Sequence, residues 1–195
     1  NLNQIAVAGH SFGAYTALTV AGRQLVPRGA SSGLNLRDPR VRACIAMSAP
    51  GNVREMANGS YAKFSVPCLH MTGTADSSLV NGSGPESRRI PFDSISAPNQ
   101  FLLTFQGGDH LVFSGRRDEG RGGKAPGRLG AAIRDLVAPG MGGDKTKDPV
   151  FQDLILQSSF AFLEAYLRGD EGAKRWLSEG GFTKALGANG TFEVK

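Results

Sequence analysis

Cysteine, tryptophan and long apolar runs are scarce in this chain of 195 residues, and each shortage excludes something. Two cysteines, Cys44 and Cys68, do not make a disulfide framework, and no Cys/His group has metal-site spacing, so no metal is expected. Both lie in apolar runs that read as buried strands, where a thiol behaves as a small inert hydrophobe. No apolar run approaches the roughly 18 residues of a membrane span. No basic leader followed by an apolar stretch is visible either. The first residue is Asn1 rather than Met, and a strand starts within a few residues of it. A preceding segment of the same protein is therefore expected, with any export signal in it, and the compartment stays open. One-sided charge is also lacking. The net charge is +5, yet the densest basic stretch, 116–134, is interleaved with Asp118, Glu119 and Asp135. It carries no aromatic residue on which a base could stack, so it reads as a solvated loop and not as a nucleic-acid site.

What remains is an ordinary globular composition, 40% apolar and 20% charged, at a length that suits one domain with a sizeable core. Short apolar runs alternate with helical patterns, which predicts an α/β fold with a parallel sheet covered by helices. Strands are expected at 4–8 (QIAVA), 42–47 (RACIAM), 66–72 (VPCLHMT) and 100–105 (QFLLTF). Helices are expected at 12–21, stopping at Gly22, and at 150–167, with short helical stretches near 52–62 and 86–90. Residues 24–40 and 115–149 read as loops, the second long for a connection.

The strongest local signal is Gly9-His10-Ser11-Phe12-Gly13, a G-x-S-x-G pattern between a predicted strand and a predicted helix. A serine there needs a turn so tight that side chains at Gly9 and Gly13 would collide with backbone. The turn would lift the hydroxyl above the sheet edge and put the Phe12 N–H where an oxyanion forms. A serine hydroxyl is a weak nucleophile at neutral pH and needs a base. Three histidines are available. His10, inside the turn, should point another way, and His70 is mid-strand and reads as a hydrogen-bonded core residue. His110 follows the fourth strand in GGDH, at the sheet edge where open α/β sheets place their ligands. A third group must orient the base. Asp76 runs off the third strand through a glycine turn onto that same edge. Asp109 adjoins His110 and would point away from it, and Asp93 precedes the fourth strand, at its other end. Ser11, Asp76 and His110 thus arrive in the order Ser, Asp, His, each after a separate strand. Phe12, Ala49, Pro50, Leu111 and Phe113 are candidates for an apolar wall around them, although Phe113 reads equally as an anchor for the loop.

These segments, IAVAGHSFGAYTAL, VPCLHMTGTAD and LLTFQGGDHLVFSG, resemble those of the α/β-hydrolase superfamily, in particular dienelactone-hydrolase-like serine esterases and their relatives, the platelet-activating-factor acetylhydrolases and bacterial polyester hydrolases. The resemblance runs from Ile5 to about Leu177, and the stretch FAFLEAYLRGDEGAKRWL is similar to the last helix of these enzymes. It implies a catalytic triad of Ser11, Asp76 and His110, with the Phe12 N–H as one oxyanion donor. It also implies cleavage of a small-molecule carboxylic ester through an acyl-enzyme, with no cofactor. Strict dienelactone hydrolases use a cysteine nucleophile, and Ser11 points instead to ordinary esters. The superfamily carries about four strands ahead of the nucleophile, with the second oxyanion donor in a loop among them. The chain therefore looks like the C-terminal half of such a fold, a single partial domain. Two other functions remain open at this point. The same three residues serve hydrolysis or acyl transfer on amides, thioesters or lactones, and a non-catalytic protein could keep the fold for binding.

Overall fold

The computed structural model describes residues 2–30, 32–78, 84–114, 143 and 145–195. Four parallel strands, β1 (Ile5–His10), β2 (Val41–Met47), β3 (Cys68–Ala75) and β4 (Gln100–Asp109), lie side by side in chain order. A fifth, β5 (Gly190–Val194), joins β4 antiparallel. Helix α1 (Phe12–Ala21) follows β1, α2 (Val53–Ala57) follows β2, and α3 (Ile90–Ser94) precedes β4. Helices α4 (Asp148–Leu163), α5 (Glu171–Ser178) and α6 (Gly181–Leu186) precede β5. The architecture is α/β, with a mostly parallel sheet and flanking helices.

Both faces of the sheet are covered, so β2 reads as a nearly unbroken apolar run rather than an alternating one. Its residues still sort by parity. Ala43 and Ile45 pack with Leu69, Met71, Phe101, Leu103 and Phe105 against Phe151, Leu154 and Phe162 of α4. Cys44 and Ala46 face the other way, with Cys68, against Ala14, Ala17, Leu18 and Ala21 of α1. Alanines on that face of α1 let its backbone approach the sheet closely, and the fully buried Leu18 contributes about 2 kcal/mol of hydrophobic stabilisation. On the first face aromatic rings interlock around the last strand, with Phe101 stacked on Phe192 at 5.8 Å and Phe182 edge-on to Phe192 at 4.7 Å. Cys44 and Cys68 are paired across β2 and β3, both buried and both free thiols.

Several boundaries differ from the sequence reading. Strands β1, β3 and β4 each run beyond their apolar stretch, to His10, Ala75 and Asp109, because parallel pairing continues after the hydrophobic residues stop. Gly107, Gly108 and Asp109 are thus strand and not the flexible turn expected before His110. Pro67 lies outside β3, and the amide of Cys44 donates to its carbonyl at 3.0 Å. The expected stretch 52–62 forms helix only over α2, which Asn52 caps by accepting from the Arg54 N–H at 2.9 Å. The helix expected at 150–167 begins at Asp148 and passes at Glu164–Arg168 into a π turn. Gly169, in the left-handed region at φ 72°, ends it, and Asp170 caps the separate helix α5. The single closing helix of the expected family is therefore two helices here. Strand β5 and helix α6 have no counterpart in the sequence reading. Of the long loop at 115–149, residues 115–142 and 144 lie outside the described residues. Among the described residues, no helix is long and apolar enough to cross a membrane.

Candidate active site

The register of the strands brings the site together. His10 of β1 pairs with Met47 of β2, so Ser11 and Ser48 leave the sheet side by side. Met47 in turn pairs with Met71, which puts Thr72 beside Ser48. At the next seam the register shifts between Gly73 and Ala75, and Ala75 comes opposite Asp109. Asp76 and His110 therefore also leave together. The shift depends on a close approach, since a Cβ on Gly73 would lie 2.1 Å from the Gly108 carbonyl oxygen. Each exit is tied to the next strand: the Ser11 N–H donates to the Met47 carbonyl at 2.9 Å, and the Ser48 N–H to the Met71 carbonyl at 2.7 Å.

Ser11 has φ 57° and ψ −121°, a backbone conformation that costs an L residue about 1–3 kcal/mol and is held here by its surroundings. Gly9 makes the turn possible, because a Cβ there would lie 2.2 Å from the carbonyl carbon and oxygen of Gly13. The expectation for Gly13 is corrected: a Cβ at Gly13 would meet nothing within 4 Å. The turn therefore requires a residue without a side chain at position 9 and does not require one at position 13. Phe12 is the first residue of α1, where an N–H has no acceptor inside the helix. Its side chain is 71% exposed.

Ser11, His110 and Asp76 lie in hydrogen-bond sequence. His110 Nε2 is 3.0 Å from Ser11 Oγ, and His110 Nδ1 is 2.9 Å from Asp76 Oδ1. Asp76 is fully buried. Burial alone would raise its pKa, but the His110 hydrogen bond, the Arg88 charge and the Ser48 hydroxyl outweigh it and hold the carboxyl below its ordinary value. An ionised carboxylate only accepts, so Nδ1 carries the ring proton and Nε2 is left to accept from the serine. The other carboxylate oxygen accepts from Thr72 Oγ1 at 3.0 Å.

Three neighbours lie beyond the sequence reading in these roles. Ser48 Oγ is 2.8 Å from Asp76 Oδ1 and 2.6 Å from His110 Nδ1. Arg88, on the 3-10 turn Pro85–Arg89 and almost wholly buried, places Nε 3.3 Å from Asp76 Oδ1. It also donates to the carbonyls of Asp76, Ser48 and Ser77 at 3.2, 3.2 and 3.4 Å. His10 leaves the turn toward His110, and the sequence reading gave it no role there. Its ring centroid is 4.7 Å from that of His110, and its Nε2–H donates to the His110 carbonyl at 2.9 Å. Burial and the neighbouring His110 ring lower its pKa, so His10 acts as a neutral brace for the loop. SAPG reads as a turn, a buried arginine looks like any other basic residue in a sequence, and no residue pattern aims His10. The sequence carries no signal for these three.

The remaining candidates occupy other places. Asp109 turns from His110, as expected of a neighbour on an extended backbone. Its Oδ2 meets Lys145 Nζ at 2.6 Å and its Oδ1 accepts from the Leu111 N–H at 2.9 Å. Asp93 forms a surface pair with Arg89 at 2.8 Å. His70 is buried against Gln100 and Phe92, with Nε2 3.5 Å from Gln100 Oε1 and Nδ1 unpartnered. Burial lowers its pKa to about 4. Of the expected apolar wall, Ala49 and Phe113 are buried, Phe113 in the main core beside Phe105. Pro50 and Leu111 are half-buried, and Phe12 is exposed. A cavity of about 290 Å³ lies beside α1 and α2, lined by Tyr15, Arg23, Pro27, Asn52 and Glu55 among others. None of Ser11, Asp76 or His110 lines it, and its buried Arg23–Glu55 pair at 2.5 Å ties the segment just after α1 to α2. Among the described residues no three His, Cys, Asp or Glu side chains converge to hold a metal ion.

No protein-family profile and no curated protein sequence matches this chain.

Proposed function

We propose that the chain is the catalytic part of a serine hydrolase of the α/β-hydrolase type, cleaving carboxylic esters through an acyl-enzyme. The observation that carries this reading is the unbroken hydrogen-bond line from Ser11 Oγ through His110 to a buried, ionised Asp76, with Ser11 on a strained strand-to-helix turn. Strain of this kind is kept where a side chain must be presented rather than packed.

In the proposed reaction Ser11 Oγ attacks the ester carbonyl carbon while its proton passes to His110 Nε2. Asp76 holds the imidazolium that results, and the Phe12 N–H donates to the carbonyl oxygen as it gains charge. Collapse of the tetrahedral intermediate breaks the C–O bond, and the departing alkoxide takes the proton from His110. Water then attacks the acyl-serine, gives its proton to His110, and the acid leaves with Ser11 restored. The apolar Phe12 side chain beside the nucleophile suits an ester with an apolar part.

Fluorophosphonate labelling and ester hydrolysis by the full-length protein test this reading. Ser11 should take the label, and Ser11→Ala should lower kcat for an activated ester by about 10⁴ or more. An Ala variant that hydrolyses the ester at the wild-type rate would end the proposal.

A further inference from the structure

We propose that Ser48 is a positioning residue of the same relay, a hydroxyl that sets the plane of the His110 ring; this rests on the hydrolase reading above. Its side chain is fully buried, and both of its short contacts are to the acid–base pair, Asp76 Oδ1 at 2.8 Å and His110 Nδ1 at 2.6 Å. A hydroxyl has one proton and two lone pairs. Asp76 can only accept, so the Ser48 proton goes to Oδ1 and a lone pair faces the ring N–H. That N–H is then shared between two acceptors in different directions. A ring held by one acceptor swings about that bond, whereas one held by two keeps its plane, and with it the direction of the Nε2 lone pair toward Ser11.

The backbone is arranged for this contact. Ser48 has φ 51°, in the region where glycine is the favoured residue. Its N–H is fixed by the Met71 carbonyl and its own carbonyl by Arg88, which also grips the carbonyls of Asp76 and Ser77. One buried side chain thus locks the two strand ends that carry the hydroxyl and the carboxylate. A position with no role for a side chain would favour glycine, which takes this φ without strain and brings no buried hydroxyl to satisfy.

The test uses Ser48→Ala and Ser48→Gly in the full-length protein, with p-nitrophenyl acetate as substrate and proton NMR of the His110 Nδ1–H. Glycine suits the positive φ, so it carries the test if the alanine variant does not fold. We expect kcat to fall roughly 10- to 100-fold with KM changed less than about twofold. The downfield Nδ1–H resonance should also move and broaden. Wild-type kcat and an unmoved resonance in a folded variant, even one with a lower Tm, would overturn the proposal. If the wild-type protein neither cleaves the ester nor labels at Ser11, the hydrolase reading fails. The resonance alone then decides for Ser48: a shift supports its hold on the ring, and no shift overturns it.

Discussion

Replacing Asp76 by asparagine isolates one charge of a buried pair, and the groups around it determine the outcome. The amide can keep its oxygen toward His110, Ser48 and Arg88, because Thr72 Oγ1 accepts from an amide N–H as readily as it donates to a carboxylate. The ring tautomer therefore survives, and only the charge is lost. Arg88 Nη2 lies 3.4 Å from His110 Nδ1, and both are donors. Without the carboxylate, the imidazolium that forms during proton transfer faces the guanidinium with no counter-ion. Unit charges about 4 Å apart interact by about 4 kcal/mol at an effective dielectric of about 20, a factor of about 10³ in rate. The folded state suffers too, because an unpaired buried charge costs about 3–5 kcal/mol. Removing the second charge as well, in Asp76→Asn/Arg88→Met, should return at least tenfold of the lost kcat/KM, while stability stays low because the carbonyls of Ser48, Asp76 and Ser77 lose their donor. The assay is a double-mutant cycle on p-nitrophenyl acetate hydrolysis, with urea melts of all four proteins. Losses that simply add, with the double variant worse than Asp76→Asn, would refute the claim that Arg88 and Asp76 balance each other around the base.

Two further outcomes rest on backbone space and on a buried imidazole. Gly9→Ala drives a Cβ to 2.2 Å from the Gly13 backbone and should abolish labelling of Ser11 and lower Tm, whereas Gly13→Ala, with open space, should keep both within reach of wild type. His70, lowered by burial to about 4 against an unfolded value of about 6.5, should erode stability on acidification by about 3 kcal/mol. Between those pH values the unfolded chain binds a proton that the folded chain refuses, so stability falls as pH drops through 6.5 and levels near 4. A His70→Leu variant should lose most of that slope in pH-dependent thermal melts, and an unchanged slope would exclude His70 as its source.

The four parallel strands were legible because each carries a compact apolar run, and α1 because its apolar face ends at Gly22. The C-terminal ends of β1, β3 and β4 were not, since those strands run on past their apolar residues to His10, Ala75 and Asp109. Strand β5 is not legible in the sequence because GTFEV is short, half-polar and follows a glycine-rich turn. It gains its place from Phe192, which packs between Phe101 and Phe182 only in the folded molecule. The same division holds at the site. Ser11, Asp76 and His110 stand out as reactive types at strand ends, whereas Ser48, Arg88 and His10 matter through where their side chains point. Direction is set by register and by the positive φ at Ser11 and Ser48, and a linear pattern of residue types does not encode either.

Because the Ser11 amide is bonded to the last carbonyl of β2 and the Ser48 amide to the Met71 carbonyl within β3, both serines are placed by the strand ladder. The connection between β3 and β4 shares in that placement, because its Arg88 holds the carbonyls of Ser48, Asp76 and Ser77. A graft that replaced the Arg88 turn should therefore loosen the ends of β2 and β3 and, on the hydrolase reading proposed above, disturb the proton path along with the rim.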